Sequence, residues 1–109
     1  MIRYNVRYEV VGLFGKAGVV FDFSNNSAVQ NMRNVINGLS GESVQFTVSC
    51  ESNGEWVAES VNIDGILTGG TAEDDVNEMV RDAIFTYFDV PSEYCDDKLV
   101  SGGRGVVVN

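Results

Sequence analysis

The sequence predicts an α+β domain, an antiparallel or mixed sheet with two helices on one face in the order ββα-βββα. Three observations predict it. Apolar and polar residues alternate strictly over 2–10 and again over 44–50, the period that sends successive side chains to opposite faces of a sheet. Near 28–38 and 72–89 the apolar spacing changes to three and four, the stripe of an amphipathic helix. The chain has 109 residues, 44% of them hydrophobic, which suits one domain around one core. Residues 1–109 are therefore read as a single domain: an N-terminal ββα unit over 1–43, a βββα unit over 44–90 and a tail over 91–109.

Taken in order, "IRYNVRYEVV" sets Ile2, Tyr4, Val6, Tyr8 and Val10 on one side and Arg3, Asn5, Arg7 and Glu9 on the other. "GLFGKAG" supplies a turn, and "VVFDF" offers Val19, Phe21 and Phe23 as the inward face of a second strand. A hairpin of these two strands is expected. The glycines do not make a phosphate loop, because Lys16 is not followed by Ser or Thr and a strand comes next. In the first helix, Val29, Met32, Ile36 and Leu39 form the apolar stripe, with Ser27 and Gln30 as its capping box. Asn31, Asn34 and Asn37 are poor helix formers, so packing must hold this helix.

"SVQFTVSC" turns Val44, Phe46, Val48 and Cys50 inward, and Asn53-Gly54 is a hairpin turn into the strand that carries Trp56. Asp64-Gly65 is a further turn before a short strand, "ILT". Thr71 and Asp74 are read as the capping box of the second helix, with Glu73, Asp74 and Asp75 at the positive end of its dipole. Its apolar face is Val76, Met79, Val80, Ala83, Ile84, Tyr87 and Phe88, and Pro91 stops it. "SGGRG" reads as a hinge, and "GVVV" as a last edge strand.

Charge divides the chain. Residues 1–43 carry four basic and three acidic side chains, whereas 44–109 carry three basic and thirteen acidic ones, for a net charge of -9. Such a body repels phosphates over the Debye length of about 8–10 Å. Direct nucleic-acid binding is therefore disfavoured and a basic protein partner favoured. No apolar run reaches the length of a membrane span and no signal peptide opens the chain, so a cytoplasmic protein is expected, without membrane attachment. In that compartment Cys50 and Cys95 are expected as free thiols rather than a disulfide. The sequence contains no histidine, which removes triad and Cys-His catalysis and most zinc patterns. No enzyme activity, metal or cofactor is expected.

Asp74, Asp75, Glu78 and Asp82 cluster on one side of the second helix, and 74, 78 and 82 repeat at i, i+4, where like charges repel by about 0.2–0.5 kcal/mol per pair. One reading is a solvated face that keeps the protein soluble. The other is a docking surface for a basic partner, since complementary charge speeds association. Trp56 also has two readings, an interface anchor or a core residue of its hairpin.

The stretch 44–90 resembles the HicB family of antitoxins. The resemblance is carried by Gly54, Trp56, Val57 and Ala58, then Gly65, then Thr68, Gly70 and Thr71, then Glu73 and Asp75 leading to Ala83 and Ile84. It implies a partial ribonuclease-H-like second half and a non-enzymatic inhibitor that neutralises a small basic nuclease by covering it. "NIDG" lacks the family's proline before Gly65, residues 1–43 are an added unit, and no ribbon-helix-helix or helix-turn-helix follows in these residues. The resemblance thus carries neutralisation of a protein and not operator binding. The expected docking surface is Asp74, Asp75, Glu78 and Asp82 with Trp56 and Glu59 of the adjacent hairpin. The alternatives are a phage anti-defence protein whose carboxylates imitate nucleic-acid phosphates against a host nuclease, restriction or CRISPR complex, and a small-ligand-binding domain. A homodimer formed through the "GVVV" edge or the first strand is a further expectation, because an unpaired strand edge invites pairing.

Overall fold

In a computed structural model the fold is α+β, and the described residues form a five-stranded antiparallel sheet with two helices on one face. The structure describes residues 2–10, 26–92, 95 and 100–108, the last eight by their backbone. The strands are β1 (Ile2–Val10), β2 (Val44–Cys50), β3 (Trp56–Ser60), β4 (Leu67–Gly70) and β5 (Val100–Val108), in the spatial order β4-β3-β2-β1-β5. The helices are α1 (Ser27–Asn37) and α2 (Val76–Tyr87).

The register places the alternating apolar residues on one face. Val6 lies opposite Phe46, Tyr8 opposite Val44, and Val48 opposite Ala58. All six are buried, and they join Val29, Met32 and Ile36 of α1 and Val80, Ile84 and Phe85 of α2 in one core. Each of the Val, Ile, Met and Phe side chains contributes about 1.5–3 kcal/mol by leaving water, and Ala58 less. The rings of Tyr8 and Phe46 meet edge to face, with centroids 5.8 Å apart, the arrangement that the ring quadrupoles favour. On the other face Arg3, Asn5, Arg7 and Glu9 stand in solvent.

The expected hairpin of the first two strands is corrected. Both edges of β1 are occupied, by β2 over Ile2–Tyr8 and by β5 over Arg3–Val10. β1 is therefore an inner strand and not an edge for self-association. The expected second strand, 19–23, lies outside the described residues. "SGGRG" belongs to β5 rather than to a hinge, and the register of β5 against β1 shifts between Val6 and Tyr8. Neighbouring glycines tolerate the local kink of such a shift. The "GVVV" segment lies in β5, at one end of the sheet among the described residues.

The caps also differ from expectation. Asn26, not a Ser27–Gln30 box, caps α1, its side-chain oxygen accepting from Val29 N–H at 3.0 Å. Helix α2 begins at Val76 rather than 72, with Asp75 as N-cap accepting from Glu78 N–H at 3.1 Å. Thr71 and Asp74 close a turn before it, in which Asp74 N–H donates to Thr71 O at 3.1 Å. At each start two residues compete for the same free donors, and an Asn or Asp immediately before the first helical residue prevails.

The β2–β3 connection is a five-residue loop rather than a tight two-residue turn, with Gly54 at φ +90°. Strand β3 ends at Ser60, and Asn62 then binds back to β2. Its side-chain oxygen accepts from Gln45 N–H and its amide donates to Ser43 O, both at 2.9 Å. Ile63 thereby turns into the core while Val61 stays exposed.

Candidate interaction surface around the second helix

The six residues predicted as a docking surface do not share one exposed face. Trp56 is only 4% exposed and its indole N–H donates to Thr71 O at 3.0 Å. It is a core residue whose polar edge fastens the start of the α2 turn to β3. That burial removes it as an interface anchor. Glu59 is exposed, but its register neighbours are Thr47 and Leu67 on the open face of the sheet, opposite the face that bears the helices. Alternation along a strand separates it from the α2 carboxylates.

The four α2 carboxylates are exposed and divide into two pairs. Asp74 accepts from Thr71 N–H at 2.8 Å and from the Thr71 hydroxyl at 3.3 Å, and Asp75 is the N-cap. These two complete the local backbone. Glu78 and Asp82, one helical turn apart, make no side-chain hydrogen bond or ion pair among the described residues. Because Asp74 precedes the helix, only the Glu78–Asp82 pair bears the like-charge cost of i, i+4 spacing.

Two open grooves flank Asp82. One lies between Glu78, Arg81, Phe85 and Cys95. Partial burial, with the Asp82 carboxylate as a lesser cause, pushes the Cys95 thiol above its ordinary pKa. That thiol also donates to Val90 O and Pro91 O at 3.5 and 3.4 Å. The other groove runs between Ile66–Thr68 and the Asp82, Ala83 and Tyr87 side of α2. Sequence reasoning passed over its strand wall, although "ILTGG" carries a signal, an apolar strand with neither a charge nor a proline to guard its edge.

Across the sheet, the Tyr8 hydroxyl donates to Asn77 Oδ1 at 2.7 Å. Burial, against the opposing influence of Arg81, raises the Tyr8 pKa well above the ordinary phenol value. Among the described residues no group of three or more Cys, Asp and Glu side chains could hold a metal ion, and no helix is long and apolar enough to cross a membrane. The chain matches no protein-family model, no curated protein and no solved structure.

Proposed function

We propose that this protein is a small acidic inhibitor without enzymatic activity, of the antitoxin type, that neutralises a basic partner enzyme, a nuclease, by covering it. The observation that carries the reading is the Glu78–Asp82 pair, two exposed carboxylates that make no side-chain hydrogen bond or ion pair among the described residues, on the part of the chain that holds thirteen acidic and three basic residues. Charge held in this way raises the encounter rate with a basic surface. The resemblance of residues 44–90 to HicB antitoxins supports the same class. The docking surface is reduced to the exposed flank of α2, with Glu78 and Asp82 at its centre and Asp74 and Asp75 at its rim. Cytoplasmic action fits the reading.

The test is capture from host lysate by the wild-type protein and by the Glu78→Gln, Asp82→Asn double variant, followed by nuclease assays of whatever is bound. The expected result is one basic nuclease, retained and silenced by the wild type and bound more weakly by the variant, with a difference that shrinks as salt is raised. Equal retention by both proteins at all salt concentrations removes the α2 flank from the interface. Competition for one site between this protein and DNA or RNA on the captured enzyme marks it as a nucleic-acid mimic.

A further inference from the structure

The β4 side of the sheet carries a feature that the reading above does not use. Among the described residues β4 is the terminal strand, paired only with β3. Ser60 N–H bonds to Ile66 O at 3.0 Å, and the same register sets Ala58 opposite Thr68 and Trp56 opposite Gly70. In an antiparallel ladder such pairs exchange both of their bonds, and the residues between them turn theirs away. The N–H and C=O groups of Leu67 and Gly69 therefore point outward, and no described residue bonds them. Beside this edge runs the groove against α2, with Ala83 and Tyr87 on its far wall. Leu67 is 64% exposed, Val57 51% and Tyr87 45%. An unpaired strand edge next to a helix flank, with apolar side chains above and below, is the geometry in which an extended segment adds to a sheet.

Resting on the inhibitor reading, we infer that the β4 edge receives an extended segment of the partner in which apolar and basic residues alternate, hydrogen-bonded to Leu67 and Gly69 and seated against α2. Period-two alternation divides the side chains of such a segment between two surroundings. Those on the helix side meet Asp82, Ala83 and Tyr87. Those on the open side meet Leu67 at the edge, with Val57 and Glu59 one strand further in on β3. Asp82 and Glu59 call for Lys or Arg, and the exposed apolar groups for β-branched or aromatic residues. A second copy of this chain is the weaker occupant, because each copy carries a net charge of -9 and like charge opposes the approach.

The test selects displayed random linear dodecapeptides on the full chain and then measures the winners in solution. Peptides with alternating apolar and basic residues should emerge, and they should slow hydrogen exchange at the Leu67 and Gly69 amides. Leu67→Pro deletes one outward N–H, and Leu67→Lys places a like charge at the edge. Each should weaken binding about tenfold or more, the scale of a lost main-chain contact or a repelled charge. The melting temperature of each variant shows that the fold is kept. Winners without the alternation, or winners indifferent to both substitutions, overturn the inference, and so does a homodimer that protects the same two amides. A captured nuclease that depends on Glu78 but not on Leu67 also overturns it while leaving the α2 surface intact. Peptide binding that needs Leu67, with no protein partner sensitive to Glu78, supports the edge and removes the α2 surface.

Discussion

The Tyr8 hydroxyl on β1 donates to the side-chain oxygen of Asn77 on α2 at 2.7 Å, joining residues 69 positions apart in the chain. The ring is wholly buried and meets Phe46 edge to face, so the phenol delivers its polar end through the core to the helix. Tyr8→Phe keeps the ring and removes the bond, and should lower stability by about 1 kcal/mol in chemical denaturation. The same residue sets an alkaline limit. Its folded pKa is raised, chiefly by burial, so above the ordinary phenol pKa of about 10 the unfolded state loses a proton that the native state retains. Stability should be fully present below that pH and fall as pH rises above it. Tyr4, raised by burial and by Cys50, acts in the same direction. In Tyr8→Phe the alkaline loss should be shallower, and denaturation midpoints measured on both sides of that pH check it.

Gly54 of the β2–β3 loop packs closely against Ala72. A Cβ on Gly54 would lie 2.4 Å from Ala72 Cβ, and its φ of +90° disfavours any side chain. Gly54→Ala should therefore cost about 2–4 kcal/mol, from left-handed backbone strain together with overpacking. Adding Ala72→Gly should recover the collision part and not the backbone part. Thermal melting of the two single variants and the double variant separates the two contributions.

How much of this could be read from the sequence depends on the range of each interaction. Strands β1 and β2, the stripes of both helices apart from the exposed Tyr87, and the chain reversals at Gly54 and Gly65 follow from local periodicity and glycine chemistry, although the loop at Gly54 is longer than a two-residue turn. The neighbour of β1 is different. A strand that alternates over nine residues can pair with any strand of matching pattern, and the choice of β5 over a sequential hairpin is made by tertiary packing. The cap positions differ from expectation by one residue for α1 and by several at the start of α2, because competing oxygens sit side by side in "NNS" and "EDD". Trp56 had even local evidence for surface and core, and its bond to Thr71 O, which decides the matter, spans fifteen residues. The separation of Glu59 from the α2 carboxylates needed only strand parity, which was available in the sequence.

Asp89 follows the C-cap of α2 at φ +54°. Val90 N–H reaches Phe85 O at 3.0 Å and Asp89 N–H reaches Thr86 O at 3.1 Å, so the chain reverses through a left-handed residue in the manner that usually selects glycine. Aspartate there carries both the steric cost of that conformation and a negative charge at the negative end of the helix dipole. Asp89→Gly should raise stability by about 1 kcal/mol. Asp89→Asn should change it in the same direction by less. Melting temperatures of the two variants, compared with Asp89→Ala as the unfavourable control, check the order.

The two pairs of α2 carboxylates should separate stability from binding. Asp75→Ala removes the N-cap and should cost about 1 kcal/mol. Asp74→Ala should cost somewhat less, since its two bonds to Thr71 are exposed and water replaces part of what they supply. Glu78→Gln and Asp82→Asn should leave stability within about 0.5 kcal/mol of wild type. Relief of the i, i+4 repulsion is there opposed by loss of a favourable charge in the first helical turn. Partner affinity should respond in the opposite sense, most to Glu78 and Asp82 and least to Asp74. Melting temperature and partner affinity measured on the same four proteins give the comparison. If the losses in affinity follow the losses in stability, the carboxylates act through the fold of α2. If affinity falls while the melting temperature holds, Glu78 and Asp82 contact the partner directly.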